Sequence, residues 1–323
     1  MRILVIRRDN IGDLICTTPL FSALRQAYPQ AWIGVLANAY NAPILAGNPD
    51  IDSCFAYRKA KHRTAGESRF AVWRSTAALL WKLRRMQLDL VLCASPGAQR
   101  FARLLGARRI IEAGRSGAGH ETEITNRLLT ELGLSDKPGK LVLRSGPAHQ
   151  AGWRSALRLG HEERCLAIHI SARKPAQRWP IERYAEFIRR VLATDHVTRV
   201  LLFWAPGDAA DPLHPGDDNK AAQLLEILAG LPVTPVPTHT LKELVAGLAL
   251  ADSVICSDGG AMHVAAGLGK PIVCFFGNSS AERWHPWGVP YELLQKPSLD
   301  VTDISVDEAH AAFLCLQERI RRA

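Results

Sequence analysis

Short apolar runs alternate with longer amphipathic segments along the whole chain, and this alternation constrains the fold more than any other feature. Residues 3–6 and 272–276 have the length and continuous apolar character of strands that are buried on both faces, and residues 165–170 share it except at His169. Segments with helical periodicity separate them, which is typical of parallel strands joined by crossover helices. We therefore predict an α/β protein with helices on both faces of a parallel sheet.

The same patterns predict the remaining elements. Further strands are predicted at residues 32–36, 52–55, 88–93, 109–111, 199–203 and 253–256. Helices are predicted at residues 13–28, 69–86, 121–132, 181–193, 220–229, 241–250, 261–268 and 305–322.

The chain has 323 residues, which is enough for two domains. The alternation pauses at residues 144–149, where the composition is typical of a linker, and then restarts. We expect two Rossmann-like domains, residues 1–147 and 148–323, facing a central cleft. The final helix could pack back on the N-terminal domain. Ligands of open α/β sheets bind at the carboxyl ends of the strands, so the loops there are the candidate sites.

The charge of the chain limits its partners. The formal net charge is +9 and the isoelectric point about 9.4. This balance favours acidic partners: a nucleotide diphosphate, a phosphorylated glycan, an anionic membrane surface or nucleic acid. Nucleic-acid binding predicts a continuous Lys and Arg stripe with stacking aromatics, whereas the arginines here are dispersed, so we rank it last.

Cysteine usage and hydropathy indicate an intracellular protein. Seven cysteines are scattered without a CxxC pair, and several fall in strand-like runs, which predicts neither disulfides nor a zinc site. No apolar run approaches the roughly 18 residues that a membrane span needs. The apolar stretch at the N-terminus is too short for a signal peptide. We therefore expect a cytoplasmic location.

The first candidate site follows the first strand, over residues 7–18. A dinucleotide-binding fingerprint would need three glycines there, and only Gly12 is present, so an NAD domain is disfavoured. Asp13 falls near the start of the predicted helix, whose dipole favours a carboxylate. In a cleft, this group could accept a proton from an attacking hydroxyl. Alternatively, Asp13 only caps the helix.

The second candidate site, residues 171–180, follows the strand at residues 165–170. Its hydroxyl and three cations could neutralise a diphosphate leaving group; they are Ser171, Arg173, Lys174 and Arg178. Trp179 would fix the loop, and Pro180 would begin the next helix. Alternatively, this segment is an ordinary solvated basic loop.

The third candidate site lies between two predicted strands, over residues 257–263. Gly259 and Gly260 form a turn without Cβ atoms, which lets a ligand approach the backbone. The helix that follows would direct its free N–H groups and the positive end of its dipole at that ligand, which suits phosphate. The turn could instead serve packing alone, and His263 could be a core histidine.

Aspartates elsewhere give weaker signals. Asp208 ends another strand of the second half and could bond a sugar hydroxyl, or it could be a turn residue. Asp211, Asp217 and Asp218 lie in a loop without the spacing of metal ligands, so we predict no metal site.

With these motifs assigned, the chain resembles the family 9 glycosyltransferases, which are the lipopolysaccharide heptosyltransferases and their relatives. The opening strand, the Gly12-Asp13 turn and Thr18-Pro19-Leu20 are similar to the start of that family. Trp179-Pro180 with the preceding basic residue resembles its basic-Trp-Pro element. Residues 257–277, followed by Arg283-Trp284, resemble its C-terminal signature.

The resemblance implies a GT-B fold and an inverting transfer that needs neither metal nor cofactor. The donor would be ADP-L-glycero-D-manno-heptose and the acceptor the lipopolysaccharide inner core. Asp13 would be the general base, and the acceptor would meet Arg7, Asn10, Gly12 and Thr17. The candidate donor-binding residues, Asp208 included, are Ser171, Lys174, Gln177, Arg178, Asp208, Asp258, Gly259, Gly260, Ala261, Met262 and His263.

Two departures from the family pattern concern the donor. Family members commonly carry a lysine two places before the Trp, where this chain has Gln177, so Arg178 or Lys174 would supply the charge. The usual Asp-Ser-Gly or Asp-Thr-Gly is Asp258-Gly259-Gly260 here, which lacks a hydroxyl.

Other functions remain open at this stage. The chain could use a different nucleotide sugar or acceptor, which Gln177 favours, or it could bind nucleotide sugars or glycans without catalysis. Its positive charge also fits peripheral contact with the anionic inner membrane, where a lipid-anchored acceptor would lie.

Overall fold

A computed structural model describes residues 1–57, 68–112, 118–160, 162–210 and 216–322. The chain divides into two compact units, Met1–Leu143 and Arg144–Ala323. Each unit is built on its own parallel sheet, so the predicted α/β architecture is confirmed.

The sheet of the first unit has five parallel strands in the order β3-β2-β1-β4-β5. Its strands are β1 (Arg2–Ile6), β2 (Trp32–Asn38), β3 (Ser53–Tyr57), β4 (Leu90–Cys93) and β5 (Arg109–Glu112). In the central strand, Ile3 lies opposite Ile33 on one side and Leu90 on the other. Residues 3–6 are fully buried, which explains why this strand reads as an unbroken apolar run.

The described helices of the first unit differ from the prediction at one important place. They are α1 (Ile11–Cys16), α2 (Thr18–Ala27), α3 (Arg69–Arg85), α4 (Ala98–Arg103) and α5 (Glu121–Asn126), with 3₁₀ turns at Ala42–Leu45 and Arg127–Leu132. The single helix expected over residues 13–28 was wrong. Pro19 has no N–H to donate to the Ile15 carbonyl, and the Thr18 hydroxyl donates to it instead, at 2.7 Å. The segment therefore forms two short helices.

The sheet of the second unit has six parallel strands in the order β11-β10-β9-β6-β7-β8. Its strands are β6 (Cys165–His169), β7 (Arg199–Trp204), β8 (Val233–Pro237), β9 (Ser253–Ser257), β10 (Ile272–Phe276) and β11 (Tyr291–Gln295). The sequence prediction missed β8 and β11. Pro235 and Pro237 argue against a central strand, but β8 lies at the edge of the sheet, where proline is tolerated.

Helices cover this second sheet. They are α6 (Pro147–Ala156), α7 (Ile181–Leu192), α8 (Asp218–Ile227), α9 (Leu241–Ala249), α10 (Gly260–Gly267), α11 (Ala281–Trp284) and α12 (Val306–Arg322). α6 begins inside the segment that has linker composition. α12 packs on its own unit, where Phe313 and Leu316 are buried in the core beside α7.

Trp179 joins the loop after β6 to this core. Its side chain is fully buried, and its ring centroid lies 4.9 Å from that of Tyr184 and 4.8 Å from that of Phe275. The indole N–H donates to the Ile304 carbonyl at 2.9 Å. One side chain therefore holds the loop, β10 and the segment before α12 together.

We expect Trp179→Ala to lower the free energy of unfolding by about 3–5 kcal/mol, because it leaves a large cavity. Trp179→Phe should cost about 0.5–1.5 kcal/mol, because it removes the indole hydrogen bond while Arg183 still donates to the Ile304 carbonyl. Urea unfolding measures both changes. The matched control, Trp81→Ala, removes an exposed indole and should cost no more than about 0.5 kcal/mol. Equal losses at the two tryptophans would contradict this account.

Candidate functional site

The strand order of each sheet reverses once, and ligands of open α/β sheets bind at such a point. In the first unit the reversal lies between β1 and β4, and in the second it lies between β6 and β9. Each of the three sequence motifs lies at the carboxyl end of one of these strands. Residues 7–18 follow β1, residues 171–180 follow β6, and residues 257–263 begin at the last residue of β9. The fold therefore brings the second and third motifs to neighbouring strand ends.

Arg7 is the centre of the site in the first unit. Only 1% of its side chain is exposed. Its guanidinium donates to Asp13 Oδ1 at 2.7 Å, to Glu121 Oε1 at 2.6 Å and to the Ala94 carbonyl at 2.5 Å, and its Nε lies 3.4 Å from Asp9 Oδ2. Burial acts to lower the pKa of Arg7, but the three carboxylates outweigh it and raise that pKa. The guanidinium thus stays charged and holds Asp13 in place.

Asp13 occupies the third position of α1 and is not its N-cap. The N-cap is Asn10, whose backbone N–H and side-chain amide both donate to Asp13 Oδ2 at 3.1 Å. The Asp13 side chain keeps 14% of its surface exposed. The result is a carboxylate with a fixed orientation that solvent or a ligand can still reach.

The structure gives the predicted acceptor residues two different positions. Arg7 and Thr17 are buried, and the Thr17 hydroxyl donates to the Asp13 carbonyl at 2.8 Å, so both support Asp13 from within. Asn10 is exposed at the start of α1, and Gly12, in the first turn of that helix, is buried. Contact of these residues with an acceptor remains a prediction.

Two asparagines that the sequence reasoning missed hold the loop between β1 and α1. Asn38 donates to the carbonyls of Arg8 and Asp9 at 2.5 and 2.8 Å, and Asn41 donates to those of Asp9 and Asn10 at 3.1 and 3.2 Å. They come from the end of β2 and the turn after it. Polar residues directly after a buried strand were the available signal.

A cavity of about 230 Å³ opens beside this loop. Its lining residues are Arg8, Asp9, Tyr57, Ser95 and Pro96. The Arg8 guanidinium lies 5.0 Å from the ring centroid of Tyr57, and Ser95 Oγ accepts the Arg8 backbone N–H at 2.5 Å. The cavity therefore has a positioned cation and a hydroxyl, which suits a polar ligand.

In the second unit, Gln177 connects two strand-end loops. Its amide donates to Asp258 Oδ2 at 2.8 Å and to Ser279 Oγ at 3.0 Å, and the side chain is buried. Lys174 Nζ lies 3.3 Å from Ser279 Oγ and 3.4 Å from Asn278 Oδ1. Asn278 and Ser279 were not predicted, although they follow β10 closely.

Gly277 allows these loops to approach closely. A Cβ built on Gly277 would lie 2.3 Å from the Ala176 carbonyl oxygen, which is far inside van der Waals contact. A side chain there would force apart the loop that carries Lys174 and Gln177 and the one that carries Asn278 and Ser279.

The N-terminus of α10 faces open space. A Cβ built on Gly259 would meet no heavy atom within 4 Å. The N–H groups of Gly260, Ala261 and Met262 belong to the first turn of α10, where helices leave donors without intrahelical partners. His263 is buried, and its ring packs edge-on against Trp284 with centroids 5.8 Å apart. This arrangement can accept an anion at the helix end.

Other predicted donor residues make local contacts. Arg178 donates to the carbonyls of Ala172 and Arg173 at 2.9 and 3.5 Å. Ser171 Oγ accepts the Ala205 N–H at 2.9 Å. Asp208 accepts the Ala210 N–H at 2.9 Å, in a turn. A donor contact for any of them remains a prediction.

The aspartates that follow Asp208 offer no metal site within the described ranges. Asp218 accepts hydrogen bonds from the Trp204 indole at 2.8 Å and the Gly207 N–H at 2.9 Å. Asp211 lies outside the described residues. Across the described part of the chain, no group of three or more His, Cys, Asp or Glu side chains could hold a metal ion.

Lys220, on α8, is a cation that the sequence reasoning missed. Its ammonium donates to the Ile170 carbonyl at 3.0 Å and lies 5.2 Å from the Tyr184 ring centroid. Burial lowers the pKa of Lys220 to about 8, with Arg178 adding to the shift and Asp217 opposing it. The carboxyl end of β6 therefore carries an ammonium group that loses its proton at mildly alkaline pH.

Comparisons with known proteins agree with this architecture. The profile described as "Glycosyltransferase family 9 (heptosyltransferase)" matches residues 129–301. Lipopolysaccharide heptosyltransferase 2 of Escherichia coli K12 is 27% identical over 303 residues, which cover 87% of this chain and 84% of that protein. No helix in the described segments is long and apolar enough to cross a membrane.

Solved structures show the same fold. A family 9 glycosyl transferase from Veillonella parvula superimposes with a TM-score of 0.83 at 20% identity, over 98% of this chain and 97% of that one. The E. coli heptosyltransferase WaaC with ADP gives a TM-score of 0.77 at 19% identity, over 98% and 99% of the two chains. The predicted GT-B fold is thereby confirmed.

Lys220 gives the stability of the protein a pH dependence whose sign follows from its lowered pKa. Between pH 8 and 10.5 the folded lysine has lost its proton, while the unfolded one still binds it, so a rise in pH favours the folded state. Across this window we expect wild type to gain on the order of 1–3 kcal/mol over Lys220→Met. Urea unfolding at each pH measures the difference, and parallel curves for the two proteins would contradict the assignment.

Proposed function

This chain belongs to glycosyltransferase family 9, the heptosyltransferase family, and on that premise we propose that it transfers a heptose from ADP-L-glycero-D-manno-heptose to the lipopolysaccharide inner core. The observation that carries the proposal is the orientation of Asp13, a partly exposed carboxylate fixed by Arg7 and Asn10 at the end of the central strand. The names of the relatives, which include lipopolysaccharide heptosyltransferases 2 and 3, support the donor and acceptor class.

We assign Asp13 as the general base. As the acceptor oxygen attacks the anomeric carbon, its proton passes to a carboxylate oxygen of Asp13. The bond between the anomeric carbon and the phosphate oxygen breaks with its electron pair on ADP, and attack from the opposite face inverts the configuration. Arg7 and Asn10 keep the carboxylate oriented, which is the geometric condition that such a proton transfer needs.

We assign the departing diphosphate to the N-terminus of α10. The N–H groups of Gly260, Ala261 and Met262, together with the helix dipole, would neutralise the charge that develops on ADP. The open space in front of Gly259 supports this assignment, because a phosphate could approach the backbone there without displacing a side chain. Asp258 and His263 would contact the donor sugar from the same turn.

Lys174 is our choice for the cation that replaces the expected lysine at Gln177. Lys174 lies beside Ser279, to which Gln177 also bonds, so its ammonium belongs to the same cluster. Arg178, the other candidate, directs its guanidinium at the carbonyls of Ala172 and Arg173. The contacts of Lys174 with Asn278 and Ser279 are long, at 3.4 and 3.3 Å, whereas Arg178 donates to the Ala172 carbonyl at 2.9 Å, so Lys174 gives up less to bind a diphosphate.

A second candidate is transfer from a different nucleotide sugar by the same mechanism. Gln177 favours it, because its amide fills the buried position between Asp258 and Ser279 with a neutral group. An amide can recognise hydroxyl groups that a lysine would not distinguish. The reaction class and the role of Asp13 are the same in both candidates.

Replacing Asp13 by Asn should lower kcat by about 10²–10⁴-fold, because the amide cannot accept the proton. Binding of ADP should be unchanged, since the donor site lies on other elements. Steady-state kinetics with a lipopolysaccharide core acceptor and calorimetry with ADP measure the two effects. The matched control is Asp136→Asn, which makes the same change at an exposed position of the first unit. Full activity of Asp13→Asn would remove the base assignment.

Lys174→Ala should weaken ADP binding about tenfold, because it removes a charge-assisted hydrogen bond to phosphate. Lys242→Ala, which removes an equal charge from the exposed surface of α9, should leave the affinity unchanged. Calorimetric titration in the presence of EDTA measures both and keeps free metal out of the comparison.

The same titration identifies the donor when wild type is offered ADP-heptose, UDP-sugars and GDP-mannose. Tight binding of ADP-heptose and ADP supports the heptosyl proposal. Preference for a UDP- or GDP-sugar would overturn the donor but keep the reaction class. Failure of every nucleotide to bind would favour a non-catalytic role.

A further inference from the structure

Three aromatic side chains on α3 are exposed without a role in the core. Phe70, Trp73 and Trp81 are 68%, 66% and 62% exposed, more than any other large apolar side chain in the described segments. Burying an aromatic side chain removes a large apolar area from water, so leaving three of them exposed has a free-energy cost. Clustered exposed apolar groups mark interaction surfaces.

Helical geometry puts these aromatics on one face. Each residue turns the helix by about 100°, so positions 70, 73 and 81 fall within a quarter of its circumference. Leu79 and Leu83 fall on the opposite side, where Leu83 is buried in the first unit and Leu79 packs against the same core. The helix therefore packs on the core without using the three aromatics. We call the surface formed by Phe70, Trp73 and Trp81 the aromatic face.

The aromatic face is surrounded by positive charge. Exposed cations on the same helix are Arg74, Lys82, Arg84 and Arg85. The helix contains neither Asp nor Glu, so no carboxylate of its own balances them. The Arg85 guanidinium lies 4.6 Å from the Trp81 ring centroid, and the two groups form one amphipathic surface.

We propose that α3 docks on the surface of an anionic phospholipid bilayer. Tryptophan and phenylalanine rings partition into the boundary between headgroups and acyl chains, while Lys and Arg attract the lipid phosphates. With 17 residues and five cations, α3 would lie along the surface rather than cross it. This inference stands on α3 alone and does not depend on which sugar the enzyme transfers.

The charge of the patch favours a bilayer over a second copy of the chain. The buried centres of protein interfaces are depleted in charged residues, whereas α3 has its cations beside the aromatics. A second copy would also bring two like-charged helices together. Lipid phosphates carry the charge that is opposite to that of every cation on α3.

The test is sedimentation of the purified 323-residue chain with vesicles of phosphatidylglycerol and phosphatidylcholine at low salt. Wild type should bind the anionic vesicles, and raised salt should weaken binding. Arg74→Gln, Lys82→Gln and Arg85→Gln together should weaken it on the order of a hundredfold, since each cation near the surface contributes about fivefold. Trp73→Ala with Trp81→Ala should abolish quenching of tryptophan fluorescence by brominated lipids.

The matched control changes three exposed arginines of α12: Arg319→Gln, Arg321→Gln and Arg322→Gln. It removes the same charge and should leave vesicle binding nearly intact. An equal loss in this control would show that net charge alone drives binding and would overturn the role of α3. Unchanged binding by the α3 variants would overturn it as well.

Two further measurements keep the outcomes distinct. Thermal melting verifies that each variant is folded, which we expect because every changed side chain is exposed. Analytical ultracentrifugation without lipid detects self-association, and a dimer that Trp73→Ala with Trp81→Ala abolishes would assign the face to a second copy instead. Vesicle binding requires no substrate, so failure of the heptosyl proposal would not affect this result.

Discussion

The first unit depends on the hydrogen bonds and ion pairs of one buried group, the guanidinium of Arg7. Burying an arginine is costly unless charged partners and hydrogen bonds surround it, and here Asp9, Asp13, Glu121 and the Ala94 carbonyl do so. These partners come from the loop after β1, from α1, from α5 and from the end of β4. A single charge therefore fixes elements that are far apart in sequence, and it also fixes the orientation of the carboxylate that we assign to catalysis.

The sequence predicts the central strands of both sheets and the two edge strands of the first sheet, β3 and β5, but it misses the two edge strands of the second. β1, β6, β9 and β10 lie inside their sheets, and burial on both faces makes each of them predominantly apolar. β8 and β11 are edge strands, which do not need to be apolar on both faces. The two prolines of β8 also argue against a strand in the sequence. The break between α1 and α2 was missed because apolar periodicity continues through Pro19, while the backbone hydrogen bonds do not.

The candidate site shows the same division. Asp13, Lys174 and the glycine turn at residues 259–260 could be recognised because their chemistry depends on local features: a helix start, a basic loop and a turn at a strand end. Glu121 and Lys220 could not, since each reaches its position through the tertiary fold from an element with no motif of its own. Reading Asp13 as a helix cap was partly sound, because it bonds the N-cap backbone while keeping an exposed edge.

The close approach at Gly277 has a consequence for the thermodynamics of ligand binding. With only a hydrogen atom between the loop after β10 and the Ala176 carbonyl, neither loop can move far without the other. The hydrogen bonds of Gln177 to Asp258 and Ser279 restrict them further. Loops that are ordered before a ligand arrives lose little conformational entropy when it binds. Because these loops are already ordered, little of the free energy gained from contacts with a ligand is spent on ordering them, and the affinity is correspondingly higher.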